Sequence, residues 1–87
     1  MQEPVNSIGE AVDAAFNAAV TEWRREHAPN VGIGDLLPNH LRRVTVKSDV
    51  IPGGILDVTV TVHGRKAYQR EIYFWKAHRL HGEWRFL

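Results

Sequence analysis

The chain has no cysteine. Disulfides, thiolate chemistry and cysteine-based zinc sites are therefore excluded, and a core must hold the fold without covalent staples. No apolar run approaches the roughly 18 residues that a membrane helix needs, so no membrane partner is expected. The opening Met-Gln-Glu-Pro-Val-Asn-Ser has neither a basic stretch nor an apolar one, so no signal peptide is expected and the cytoplasm is the expected compartment. Serine occurs only at Ser7 and Ser48, which leaves little for a nucleophile–base–orienter set. Eighty-seven residues are too few for two domains with a cleft between them, so residues 1–87 read as one domain.

What is present is a globular balance, 44% apolar and 24% charged. The net charge of +1 hides an asymmetry. Residues 1–39 carry two basic and six acidic residues; residues 40–87 carry nine basic and four acidic residues, plus four of the five histidines. The acidic half reads as a helix over about 7–28. Ser7-Ile8-Gly9-Glu10 has capping-box form, and Ile8, Val12, Phe16, Ala19 and Trp23 recur at helical spacing. Ala11, Ala14, Ala15 and Ala18 keep the helix slim enough to approach a sheet closely, and Pro29 stops it. Residues 29–40 read as a loop, with Leu36 and Leu37 tucked beneath it. The basic half, about 41–87, reads as four strands separated by Pro52-Gly53-Gly54, Gly64-Arg65-Lys66 and His81-Gly82. The predicted fold is α+β, one N-terminal helix packed on a four-stranded antiparallel meander.

Turn length can be tested against side-chain pattern, because a one-residue slip moves every side chain to the other face. A three-residue turn at Pro52-Gly53-Gly54 pairs Val50 with Leu56, Val46 with Val60 and Val44 with Val62. A two-residue turn sets Lys47 against Val58. The same test at Gly64-Arg65-Lys66 also favours three residues, pairing Val62 with Tyr68, Val58 with Ile72 and Leu56 with Phe74, although Arg70 then faces Val60. The expected core face is Val44, Val46, Leu56, Val58, Val60, Val62, Ile72 and Phe74. The expected open face carries Lys47, Thr61, Tyr73, Trp75 and Arg85, among other polar residues. The last turn leaves two arrangements. A Leu80-His81-Gly82 loop puts Trp84 and Phe86 on that core face; a two-residue His81-Gly82 turn puts them beside Trp75.

Two neighbouring aromatics on a polar face make a contact patch, so the expected partner-binding residues are Tyr73, Trp75, Lys47, Thr61 and Arg85. The other chemistry is thinner. His78 and His81 have ligand-like spacing but straddle a turn without a carboxylate cluster, so no metal is expected. Gly32-Ile33-Gly34-Asp35 follows no strand and lacks the residues of a phosphate loop, so no cofactor is expected. Asp57, Glu71 and His63 on an open sheet lack the burial that tunes catalytic groups. The chain reads as non-enzymatic, with no catalytic residue. Arg42, Arg43, Lys47, Arg65, Lys66, Arg70, Lys76, Arg79 and Arg85, interleaved with Tyr68, Tyr73 and Trp75, are the raw material of a nucleic-acid binder.

The stretch from Ile72-Tyr73-Phe74-Trp75-Lys76 to His81-Gly82-Glu83-Trp84-Arg85-Phe86, with the helix-then-meander order, resembles the closing hairpin of the cystatin-like and NTF2-like α+β rolls. That resemblance implies a curved sheet wrapping a helix. NTF2-like domains usually have more helices and enclose a pocket, and the Gln-x-Val-x-Gly loop of protease-inhibiting cystatins is absent. Small cysteine-free chains of this build are common among bacterial and phage accessory proteins. The reading is a small interaction module that binds a protein, a second copy of itself or another macromolecule, through its open sheet face. The alternatives are nucleic acid on the basic strands, or a small ligand between helix and sheet near Trp23, Leu36 and Leu37.

Overall fold

The computed structural model describes residues 7–32 and 40–87; Leu36, Leu37 and most of the Gly32–Asp35 loop lie outside the described residues. One helix, α1 (Ile8–His27), precedes four strands, β1 (Leu41–Ile51), β2 (Ile55–Gly64), β3 (Glu71–Leu80) and β4 (Glu83–Phe86). The strands form one antiparallel sheet in the order β1-β2-β3-β4. This is the helix-on-meander architecture that the sequence predicts.

The helix starts where the Ser7 side chain accepts the backbone N–H of Glu10 at 3.1 Å, satisfying a donor that the first turn would leave unpaired. It ends before Pro29, and the Arg24 guanidinium donates to the Val31 carbonyl at 3.1 Å, holding the exit. The buried ridge of α1 is Ala11, Ala15, Ala19, Val20 and Trp23. This corrects the predicted stripe: Val12 and Phe16 pack from its flanks, and Ile8 is exposed. The sheet explains the rotation. Its helix-facing side already carries bulky residues, so the helix approaches with its smallest ones.

The β1–β2 register is as the turn test required: Val50 faces Leu56, Val46 faces Val60 and Val44 faces Val62. Gly53 and Gly54 take φ of 97° and 75°, a conformation that costs side-chain-bearing residues energy. The β2–β3 register corrects the prediction. Val58 faces Trp75, Val60 faces Tyr73 and Leu56 faces Ala77. The connection runs through a single 3-10 turn, Ala67–Gln69, instead of a three-residue hairpin loop. The Trp23 indole N–H donates to the Gln69 carbonyl at 2.6 Å, and the Gln69 side chain accepts the backbone N–H of Lys66 at 3.1 Å. A Cβ at Gly64 would meet the Gln69 side chain at 2.6 Å and Trp23 Cζ2 at 2.8 Å, so only glycine lets the turn close onto the indole. The longer connection shifts the pairing by an odd number of residues and exchanges the two faces of β3. It also carries Arg70 out of the strand, removing the clash with Val60.

Tyr73 and Trp75 therefore face α1, half-buried, and Ile72 and Phe74 face outward. The final turn has two residues, with His81 and Gly82 both at positive φ, as a type I′ hairpin requires. Trp84 and Phe86 thus lie on the side of Trp75, which is the helix side. The core between helix and sheet comprises the alanine ridge, Trp23, Leu41, Leu56, Val58, Val60, Val62, Ala77 and Trp84. No described helix is long and apolar enough to cross a membrane.

Candidate functional site

Alternation along the paired strands puts Thr45, Lys47, Asp49, Asp57, Thr59, Thr61, Ile72, Phe74, Lys76 and Arg85 on the face away from α1. Of the five expected contact residues, Lys47, Thr61 and Arg85 are on this open face. Tyr73 and Trp75 are not, because the β2–β3 register sends them to the helix side. There their rings stack at 5.9 Å with 18° between planes. Trp75 also lines a shallow groove of about 400 Å³ with Ala14, Asn17, Ala18, Thr21 and Glu22, so its flank remains reachable between α1 and β3.

The aromatic exposed on the open face is Phe74, at 72%, with Ile72 beside it at 42%. Thr59 faces Phe74 and Thr61 faces Ile72, so short polar side chains leave both apolar groups standing proud. Next to them lies a hollow of about 420 Å³ lined by Lys47, Asp49, Asp57, Thr59, Phe74 and Lys76. Lys76 Nζ holds Asp57 at 3.0 Å. Asp49 sits directly opposite Asp57, a like-charge pairing that antiparallel sheets disfavour. An aromatic wall beside charges of both signs suits a protein surface better than a uniform polyanion. Phe74 was missed because its exposure depends on the parity of a connection whose length is set from outside, by Trp23.

A second hollow, about 470 Å³, lies at the other end of the sheet between the start of β1 and the β2–β3 connection. Arg42, His63, Gly64, Arg65, Lys66, Ala67 and Arg70 line it. No carboxylate lines it among the described residues. Burial, and then the charges of Arg43, Arg70 and Arg42, hold His63 below its ordinary value of 6.5. Tyr68, in the adjoining 3-10 turn, is 71% exposed. The sequence supplied these basic residues; the connection gathers them.

A third group joins helix and sheet. His27 Nε2 lies 3.1 Å from Glu71 Oε1 and 3.8 Å from Glu26 Oε2, and its ring lies 5.2 Å from that of Trp23. Glu26, His27 and Glu71 each bring one ligand-capable atom within 4.8 Å of the others. Such a set can supply three ligands to a divalent cation, and it equally clasps the helix end to β3 through the His27–Glu71 hydrogen bond. The Tyr73 hydroxyl is buried without a hydrogen-bond partner among the described residues. Burial, followed by the negative charges of Glu26, Glu71 and Glu22, pushes its pKa up to about 12. His27 pairing with Glu71 across 44 positions was invisible to a local reading. Trp23, named as a possible pocket residue, is fully buried against the sheet, and Leu36 and Leu37, named with it, lie outside the described residues.

Comparison with family models, with curated proteins and with solved structures finds no match to this chain.

Proposed function

We propose that the protein is a non-enzymatic interaction module that takes a protein partner on its open sheet face, centred on Phe74 and Ile72 and flanked by Lys47, Thr61 and Arg85. The observation that carries the reading is the exposure of Phe74, a large aromatic 72% open to solvent in the middle of a strand. Surface aromatics in a polar surround, with charges of both signs nearby, have the composition of a binding hot spot and its rim. Tyr73 and Trp75 support that surface from behind. The reading also fits the resemblance to cystatin-like and NTF2-like rolls, many of which pair through an open sheet face.

A second reading rests on the basic hollow. Four cationic side chains, Arg42, Arg65, Lys66 and Arg70, surround a cavity next to exposed Tyr68, which is the pairing of charge and stacking surface that single-stranded nucleic acid uses. One experiment separates the two. Wild type, Phe74→Ser and the double variant Arg42→Glu/Arg70→Glu are used as baits after nuclease treatment and, separately, titrated with a fluorescent single-stranded oligonucleotide at two salt concentrations. The first reading expects a protein captured by wild type and the double variant but lost by Phe74→Ser. A binding that survives Phe74→Ser, falls steeply with salt and disappears in the double variant sinks the first reading in favour of the second.

A further inference from the structure

We propose that β1 is a self-association edge, on which a second copy of this chain adds antiparallel about a two-fold axis through Ser48, with Val46 against Val50 and Lys47 against Asp49 of the second copy. The edge is centred on Ser48, away from Phe74 and Ile72, and shares only Lys47 with the open-face site, so the inference goes beyond the function proposed above.

The outer side of β1 has no strand partner among the described residues, because β1 ends the sheet order. From Arg43 to Ile51, beyond the irregularity at Leu41/Arg43, β1 is a long edge to whose outer side no strand among the described residues pairs. Natural edges are usually shortened, covered or interrupted, and this one is not covered by α1. Val46, expected in the core, is instead 38% exposed, and Val50 is 54% exposed, although both point to the helix side. The charged residues between them, Lys47 and Asp49, make no ion pair among the described residues. Asp49 additionally faces Asp57 across the β1–β2 pair, and Lys76 is already engaged by Asp57.

Symmetry restricts the possible registers. About a two-fold axis perpendicular to the sheet, residues equally spaced from the centre meet and share a face. Centring on Lys47 sets that lysine against its own copy. Centring on Asp49 sets two aspartates together. Centring on Val46 places Arg43 on Asp49 but sets Val50 against Arg42. Centring on Ser48 alone joins both exposed valines to each other and both unpaired charges to their opposites, each contact occurring twice. The four valines then form one apolar strip on the helix side. On the open side, Lys47 of the second copy brings to Asp49 the cation it lacks, relieving its opposition to Asp57.

The chain has no cysteine, so one introduced at the axis reports the register without background. Residues directly opposite in an antiparallel pair have Cα atoms about 4.5–5.5 Å apart, inside the span of a disulfide. Ser48→Cys should oxidise rapidly to a covalent dimer, and Thr45→Cys, set against Ile51 of the second copy, should not. In sedimentation equilibrium the wild type should dimerise. Lys47→Asp and Asp49→Lys should each weaken the dimer by roughly tenfold or more, and the double swap Lys47→Asp/Asp49→Lys should restore it. All four positions are exposed, and circular dichroism checks that each variant folds. A wild type that stays monomeric at millimolar concentration overturns the proposal. So does a dimer indifferent to both single reversals, or equal cross-linking at positions 48 and 45. Phe74→Ser should leave this dimer intact; a dimer lost in that variant and kept in the charge reversals would move the self-contact to the open face and overturn the edge.

Discussion

Phe74 and Trp75 are neighbours on β3 with opposite surroundings. Trp75 faces Val58 across the strand pair, stacks on Tyr73 and packs toward α1; Phe74 faces Thr59 and stands in solvent. The same contrast separates whole strands. In β2 every even-numbered residue from Leu56 to Gly64 is buried, while in β1 the corresponding helix-side positions Val46, Ser48 and Val50 are exposed. One slender helix can cover about two strands of a four-stranded sheet. The residues beneath it make the core, and residues of the same chemical type beyond it become candidate contact surface. Hydrophobic character therefore does not distinguish core from interface here; position relative to α1 does.

The largest test of that division is removal of the residue that positions the helix over the sheet. Trp23→Ala should cost about 3–5 kcal/mol in chemical denaturation, since it empties a buried volume and strips the Gln69 carbonyl of its donor. A loss under about 1 kcal/mol would mean that the indole does not anchor the β2–β3 connection. The next test compares the two neighbours directly. Trp75→Ala should cost about 2 kcal/mol, and Phe74→Ser should stay within about 0.5 kcal/mol of wild type, as exposed substitutions usually do. The reverse order would mean that the two faces of β3 are exchanged.

The smallest effect concerns pH. The folded Tyr73 phenol titrates at about 12, above its ordinary 10.0, so the folded state keeps this proton longer than the unfolded state does. Its contribution to stability is fully present below pH 10 and is lost as pH rises from about 10 to about 12. Tyr73→Phe should flatten that alkaline decline. Because the hydroxyl has no hydrogen-bond partner among the described residues, the variant should cost little at neutral pH. Thermal melts of both proteins across the alkaline range measure it, and an equally steep decline in the variant would place the titration elsewhere.

Much of this molecule is written locally. Ser7 with Glu10 and the Pro29 stop mark the helix, and unbroken alternation from Ile55 to Val62 marks the central strand. The β1–β2 register was equally readable, because Pro52-Gly53-Gly54 is a closed local unit whose length sets the parity of the pairs around it. Lys47 and Thr61 consequently fell on the expected face; Arg85, on β4, reached it because the exchanged faces of β3 and the two-residue last turn offset each other. The β2–β3 connection has no such autonomy. Its length depends on Gln69 reaching Trp23, 46 positions away, and on Gly64 leaving room for the indole. Only the tertiary structure could therefore decide that Tyr73 and Trp75 belong beneath α1 and Phe74 outside it. The physical reason is that strand periodicity specifies which residues share a face, whereas the choice of which face is buried requires a pairing parity, and here a long-range hydrogen bond and one tight packing contact set it.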